Sequence, residues 1–246
     1  MAPGRQIGVS LAPAPGPHQL LDPSQLLLSQ RKTPKIKSRQ TVVFADPGAE
    51  RVDGPRSRPM LDPAVLAEFR RRTITEAMAE VCAERQYHTA SIADIAARAA
   101  TSRGTVYSLY RNREDIFLDL LDRTAADVLS LVEGACASAG GEPRARVEAA
   151  LRAVLGLAAE QPAIAYAFLV IAPYATPASL GRYNGVISHL AALLRIAMSG
   201  RDGSNAWHEE LVIAGLADVL ARKARDGQLE EAPALLTDFA GLVAPL

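Results

Sequence analysis

The sequence predicts an all-α protein, on three observations. Apolar residues recur at i, i+3, i+4 and i+7 through most of the chain beyond residue 61, helix start and stop residues bracket each run, and no stretch alternates as a half-buried strand does. With 246 residues and 49% hydrophobic content, the chain can bury one or two cores. Residues 1–60 stand apart, because they hold 9 of the 16 prolines and no sustained periodicity. They are expected to be a disordered, Pro-rich basic tail. Residues 61–115 read as a three-helix domain containing a helix-turn-helix, and residues 116–246 as a second helical bundle.

The first helix is expected to open at Asp62-Pro63, since an acidic residue before proline suits a helix start. Val65, Phe69, Ile74, Ala77, Met78, Val81 and Cys82 form its apolar stripe, which ends near Gln86-Tyr87. Ser91 then caps a short helix, with Asp94 completing a capping box and Ile92, Ile95, Ala96 and Ala99 facing inward. Ala100-Thr101-Ser102 interrupts that pattern, and Ser102 caps a further helix whose inward residues are Val106, Leu109 and Tyr110. This leaves Gly104 and Ser108 outward, Thr105 and Tyr107 on the flanks, and Arg103 free in the first turn. A helix packed by one narrow face, with Arg, Gly, Thr and Tyr exposed at its start, suits the major groove. Arginine reads guanine bidentately, and glycine lets the helix end approach closely. A small helical bundle with an incidental helix-turn-helix is the bland alternative.

Arg113-Glu114-Asp115 opens a fourth helix, with Ile116, Phe117, Leu120, Leu121, Val128, Leu131 and Val132 continuing it to Gly134. Ala137 to Pro143 reads as a loop. Further helices are expected over 143–160, 163–172, 177–199, 204–226 and 232–244. Leu211, Val212, Gly215, Leu216, Val219 and Leu220 give the penultimate helix a wide apolar arc, and Leu235, Leu236, Phe239, Leu242 and Val243 do the same for the last. Two such helices from each of two chains would form a four-helix dimer interface. Coverage of the arcs within one chain is the other reading.

The run RTITEAMAEVCAERQYHTASIADIAARAATSRGTVYSLYRNREDIF, from Arg71 to Phe117, resembles the N-terminal domain of TetR-family transcriptional regulators. The likeness rests on Ser91, Ile95-Ala96, Ser102, Gly104-Thr105, Tyr107 and the Arg113-Glu114 pair. Departures are Gln86 for the usual glycine, Ala100-Thr101 for Gly-Val, Tyr110 for Phe, Arg113 for Lys, and Leu109 where a phosphate-touching Tyr or His is common. The resemblance implies a DNA-binding domain followed by a ligand-binding and dimerisation bundle. It places Tyr107 and Arg113 on phosphate, and completes a DNA-binding set of Ser91, Ser102, Arg103, Gly104, Thr105, Tyr107, Ser108 and Arg113. A homodimer on a palindromic stretch of double-stranded DNA follows, because one helix-turn-helix makes too few contacts alone. The implied function is a repressor released by a small effector. The alternative is a DNA-bound protein that recruits a protein partner without a ligand.

For the effector, polar groups among apolar ones are the candidates: Tyr166, Tyr174, Tyr183, Asn184, His189 and Trp207, with Phe117 and Leu121 on the fourth helix. Arginine is scarce on the apolar faces, which favours a lipophilic effector over a polyanion. No cofactor and no metal is expected, since His189 and His208 lack ligands at metal spacing. No nucleophile elbow, phosphate-binding glycine loop or zinc helix is present, so the protein is not expected to be an enzyme.

Formal charge sums to zero but is unevenly spread. Residues 1–60 carry 9 Lys/Arg and 4 Asp/Glu, residues 61–115 carry 8 and 8, and residues 116–246 carry 10 and 15. DNA affinity would therefore depend on a few placed cations. Arg31, Lys32, Lys35, Lys37 and Arg39 form a basic cluster that is either a DNA-tracking arm or a solvated tail. Cys82 and Cys136 read as reduced, buried thiols. Neither a signal peptide nor a membrane-spanning run is recognised, so a cytoplasmic location is expected.

Overall fold

The computed structural model describes residues 62–198 and 206–243, and every regular element among them is helical. The tail expected over residues 1–60, the Gly200–Gly203 turn and the last residues lie outside the described residues. The elements are α1 (Pro63–Arg85), α2 (Ile92–Arg98), α3 (Arg103–Leu109), α4 (Arg113–Ser138) and α5 (Pro143–Glu160). A short α6 (Pro162–Tyr166), a π turn (Ala167–Ile171) and α7 (Ala172–Ala175) follow, then α8 (Pro177–Ala197) and α9 (Ala206–Asp226). A 3₁₀ segment (Leu229–Leu235) leads into α10 (Leu236–Val243).

The start signals act as expected. The Asp62 carboxylate accepts from the Ala64 N–H, Ser91 and Asp94 form a reciprocal capping box, and Ser102 accepts from the Thr105 N–H. Asn112, just before Arg113, caps α4 by accepting from the Asp115 N–H. Three boundaries differ from the sequence expectation. α4 passes through Gly134 to Ser138, so only residues 139–142 connect it to α5. Helical backbone also continues past Pro173 to Ala175, because the preceding turn widens: the Ala172 N–H bonds to Ala167 rather than to the residue four back. Pro173 has no N–H to give Leu169, and a π turn accommodates that missing donor. At the end of the chain, Pro233 keeps residues 229–235 in 3₁₀ form, and the α-helix starts only at Leu236.

Two clusters of buried residues hold the helices together. The first joins α1, α2 and α3 through Ile74, Met78, Val81, Cys82, Ile95 and Val106, then continues through Ile116, Phe117, Leu120 and Leu121 of α4 to Phe168 and Val186. The second packs α5 against α9 and α10 through Leu151, Leu155, Leu216, Leu220 and Phe239. Leu216 and Phe239, expected at a dimer interface, are thus buried within the chain, at 5% and 8% exposure. α10 packs on α5, while α9 lies against α8 and the π turn. What remains outward on α8 and α9 is Leu180, Ile196, Trp207 and Leu211.

Two backbone positions carry a cost. Gln86, which ends α1, has φ 66° and ψ 159°, a region occupied almost only by glycine. Ala100 closes α2 in the left-handed region at φ 50°, in a Schellman pattern where the Thr101 N–H bonds to Ala96 and the Ala100 N–H to Ala97. The loop before α2 and the turn between the two short helices both require these conformations. Gln86→Gly and Ala100→Gly should therefore each stabilise the protein, by about 1 kcal/mol. Thermal denaturation should show a rise of roughly 2–4 °C for each and near-additivity in the double variant. Unchanged or lowered midpoints would contradict the strain.

Candidate nucleic-acid interface and effector cavity

The helix-turn-helix is held by its core and by ion pairs to α1. Arg98 reaches back from α2 to Glu80 at 2.9 Å and to both oxygens of Glu84 at 2.8 and 2.7 Å, while Arg85 meets Asp94 at 2.8 Å. The Ser91 hydroxyl donates to the Asp94 carboxylate at 2.6 Å and, with the Ser91 N–H and Arg85, holds that carboxyl below its usual range. α2 is thereby fixed at its start by Ser91 and at its end by Arg98.

On α3 the buried side is Val106, with Tyr110 just beyond the helix and Leu109 half-buried. Arg103, Gly104, Tyr107 and Ser108 are exposed together on the opposite side, with Tyr107 at 58%. Arg103 has no ion-pair partner among the described residues. A Cβ at Gly104 would meet only the Ser102 oxygen, at 3.6 Å, so nothing inside the protein requires glycine there. Ser102 and Thr105 are 3.0 Å apart through their hydroxyl oxygens, and the Ser108 hydroxyl donates to the Thr105 carbonyl at 2.7 Å.

Arg113 is placed otherwise than its expected phosphate contact. Its Nη1 donates to the carbonyls of His88 at 3.0 Å and Ala90 at 2.8 Å, and its guanidinium lies 4.5 Å from the centre of the Tyr87 ring. The side chain is turned inward because the connection from α1 to α2 leaves two carbonyls unpaired there, which a cation satisfies better than water would. Tyr110 performs a related job. Its hydroxyl donates to Asp119 of α4, the Arg71 guanidinium sits 5.3 Å over its ring, and burial together with Asp119 pushes the hydroxyl well above its usual range.

Helices α1, α4, α5, α8 and α9 with the π turn line a cavity of about 420 Å³. Its walls are apolar: Val132 of α4, Leu151 and Val154 of α5, Phe168 of the π turn, Leu190 of α8 and Leu216 of α9. Small residues, Ala150, Ala158, Ala165 and Ala217, leave the space open. Polar groups lie mainly at one side, where Glu68, Arg72 and Glu76 of α1 face Arg123 and Asp127 of α4. Arg123 pairs with Glu68, and Arg72 with Glu76 at 3.2 Å.

None of the residues expected at an effector site lines this cavity. Phe117 and Leu121 are fully buried in the first core cluster, and Tyr183 packs there with its ring 5.6 Å from Phe168. Tyr166 is half-buried in the second cluster, Asn184 and His189 are exposed on α8, and Tyr174 and Trp207 are exposed at 76% and 68%. The expectation sought polar groups stranded among apolar ones, whereas this cavity confines polarity largely to the rim. Alanines recurring within wide apolar arcs were the available signal. No group of three or more metal-binding side chains occurs among the described residues, and no single helix there is long and apolar enough to cross a membrane.

The chain thus sets a capped helix pair with an exposed polar face on a helical bundle that holds an apolar cavity. Residues 74–120 match the sequence model of the bacterial regulatory proteins of the tetR family. Residues 74–120 thus form a TetR-type helix-turn-helix domain, and the described chain has a TetR-like fold. No curated protein sequence matches the chain. Among solved structures, the fatty acid degradation regulator FadR of Bacillus halodurans aligns with TM-score 0.65 at 17% identity, over 72% of this chain and 96% of its own. FadR of Bacillus subtilis, in complex with stearoyl-CoA, aligns with TM-score 0.62 at 19% identity, over 70% and 96%. A TetR-like transcriptional regulator from a Rhodococcus species gives 0.58 at 22%, over 75% and 100%. These likenesses establish the fold.

The two arginines should separate cleanly on substitution. Arg113→Ala should lower stability by about 1–2 kcal/mol, since it removes the donor from the half-buried Ala90 carbonyl and the cation from the Tyr87 ring, and weaken DNA binding only as far as the fold loosens. Arg103→Ala should leave the melting temperature unchanged. Melting curves for both variants check this, and an Arg113→Ala protein as stable as the parent would remove the inward role.

Proposed function

We propose that the protein is a homodimeric repressor that holds a palindromic operator through its two α3 helices and leaves it when a lipophilic effector fills the cavity. The observation that carries this reading is the double use of α1 and α4. Ile74, Met78 and Val81 of α1 and Ile116 and Phe117 of α4 build the core beneath α2 and α3. Thr75 and Glu76 of α1 and Thr124, Val128 and Val132 of α4 line the cavity. A ligand that moves α4 against α1 necessarily reorients the helix pair that they carry. That the Bacillus subtilis regulator FadR was solved in complex with stearoyl-CoA supports an effector with an apolar chain.

On DNA, Arg103 reads a guanine, Gly104 allows close approach, and Tyr107 and Ser108 contact the duplex, with Ser91, Ser102 and Thr105 at the helix starts beside the backbone. Arg103→Ala should cost about 1–3 kcal/mol on the best site and relax preference at one base position. Residues 61–115 read DNA, and residues 116–246 dimerise and, with the α1 residues that line the cavity, take the effector. The dimer forms through the outward faces of α8 and α9, where Leu180, Ile196, Trp207 and Leu211 are exposed.

Three measurements test the reading. Sedimentation at micromolar concentration should give a dimer, and Leu211→Glu a monomer that melts at the parent temperature. Operator capture from fragmented genomic DNA should yield palindromes. Release from such a site by a medium-chain apolar compound should be abolished by Val154→Phe, which fills the cavity from α5. A monomeric parent protein, or a Val154→Phe variant that still responds, would refute the respective part.

A further inference from the structure

On the reading that the cavity is the effector site, its mouth has a definite place. The lining residues exposed to solvent are Glu68, Arg72 and Glu76 of α1 and Ala126 and Asp127 of α4, while every other lining residue is buried or half-buried. The way in from solvent therefore runs between α1 and α4.

The α1 side of that mouth is loosely held. Buried residues on α1 begin at Ile74, and neither core cluster includes a residue from 63–73. Three turns of helix thus flank the mouth without a side chain fixed in either core, and Val65 and Phe69 are exposed at 56% and 67%. Among the described residues two side-chain ties hold these turns to the rest of the protein. The Arg71 guanidinium stands 5.3 Å over the Tyr110 ring, at the end nearest Ile74. Farther out, the two Nη groups of Arg123 donate to the two oxygens of Glu68, the second at 3.1 Å. Arg123 is itself steadied on α4, with its Nε 3.1 Å from the Asp119 carboxylate. The pair spans the mouth, since Glu68 and Arg123 line the cavity from opposite helices.

Where the held part of α1 meets the loose part, two threonines turn their hydroxyls onto the helix itself. Thr73 donates to the Phe69 carbonyl at 3.0 Å and Thr75 to the Arg72 carbonyl at 2.9 Å. Such back-bonding competes with the helix ladder and favours a bend.

We infer that residues 63–73 gate the cavity, swinging from α4 about Thr73–Thr75 to admit the effector, with the Glu68–Arg123 pair as the clasp. An ion pair open to water weakens with salt, and its loss leaves the fold intact.

Stopped-flow fluorescence of the full-length protein with N-phenyl-1-naphthylamine, an uncharged apolar probe that brightens out of water, tests this. Glu68→Gln should raise its entry and exit rates together, each about two- to fivefold, so that affinity stays near the parent's. Raising salt from roughly 50 to 500 mM should quicken entry into the parent and leave the variant unchanged. Arg144→Gln, which removes a similarly exposed pair with Glu148 on α5, should alter neither rate. Unchanged rates in Glu68→Gln, or the same quickening in Arg144→Gln, would overturn the gate while leaving the cavity as the effector site. A probe that does not bind, or that binds Val154→Phe equally well, would overturn the cavity reading and the gate with it.

Discussion

Much of the structure depends on what surrounds one ring. Tyr87 sits in the connection between α1 and α2, buried to 5% exposure, with the Arg113 guanidinium 4.5 Å from its centre and the Phe117 ring at 4.9 Å. Arg113 and Phe117 lie one turn apart on α4, so a single helix presents a cation and an aromatic to the same partner. Cation–π contact, aromatic packing and two charge-assisted hydrogen bonds to His88 and Ala90 all act at this point. Through it α4 is locked to the segment that launches the helix-turn-helix. The orientation of α2 and α3 is thus referred to α4 before any contact within the pair is counted.

The rest of the DNA-facing part is secured by short-range chemistry. Serine caps begin α2 and α3, and ion pairs from Arg98 and Arg85 fix α2 to α1. For that reason the helix-turn-helix was legible in the sequence: caps, inward residues and the exposed side of α3 are all local properties of a few neighbouring residues. The role of Arg113 was not legible, because the carbonyls it satisfies belong to residues more than twenty positions earlier, brought near only by the fold. A family pattern places a cation at that position without saying which way it turns.

The second part was legible as helices and opaque as a site. Periodicity located α5, α8 and α9 to within a few residues, but it cannot say which of several apolar arcs closes on another. Leu216 and Phe239 would serve a dimer face equally well by pattern, and packing within the chain, of α9 on α8 and the π turn and of α10 on α5, decides the matter. Cavities are harder still, since empty space has no residue of its own. It arises where alanines on neighbouring helices coincide, a property of pairs of helices that no single run displays. The π turn has a local cause in Pro173, yet its effect, which is to carry Phe168 and Leu169 to the cavity wall, is again tertiary.

The continuity of the first buried cluster has a consequence for how the chain folds. Ile95 and Val106 under the recognition pair belong to the same apolar body as Phe168 and Val186, with Phe117, Leu120 and Leu121 between them. Cutting the chain at residue 115 would remove those bridging side chains and expose Ile74, Met78 and Val81 to water. At roughly 1.5–3 kcal/mol for each large apolar side chain left unburied, such a fragment would forfeit most of a small domain's stability. The helix-turn-helix is therefore no detachable reading head. It shares one cooperative unit with the upper part of the bundle, so its amide protons should exchange with solvent through the same global opening as those of α4 and the π turn.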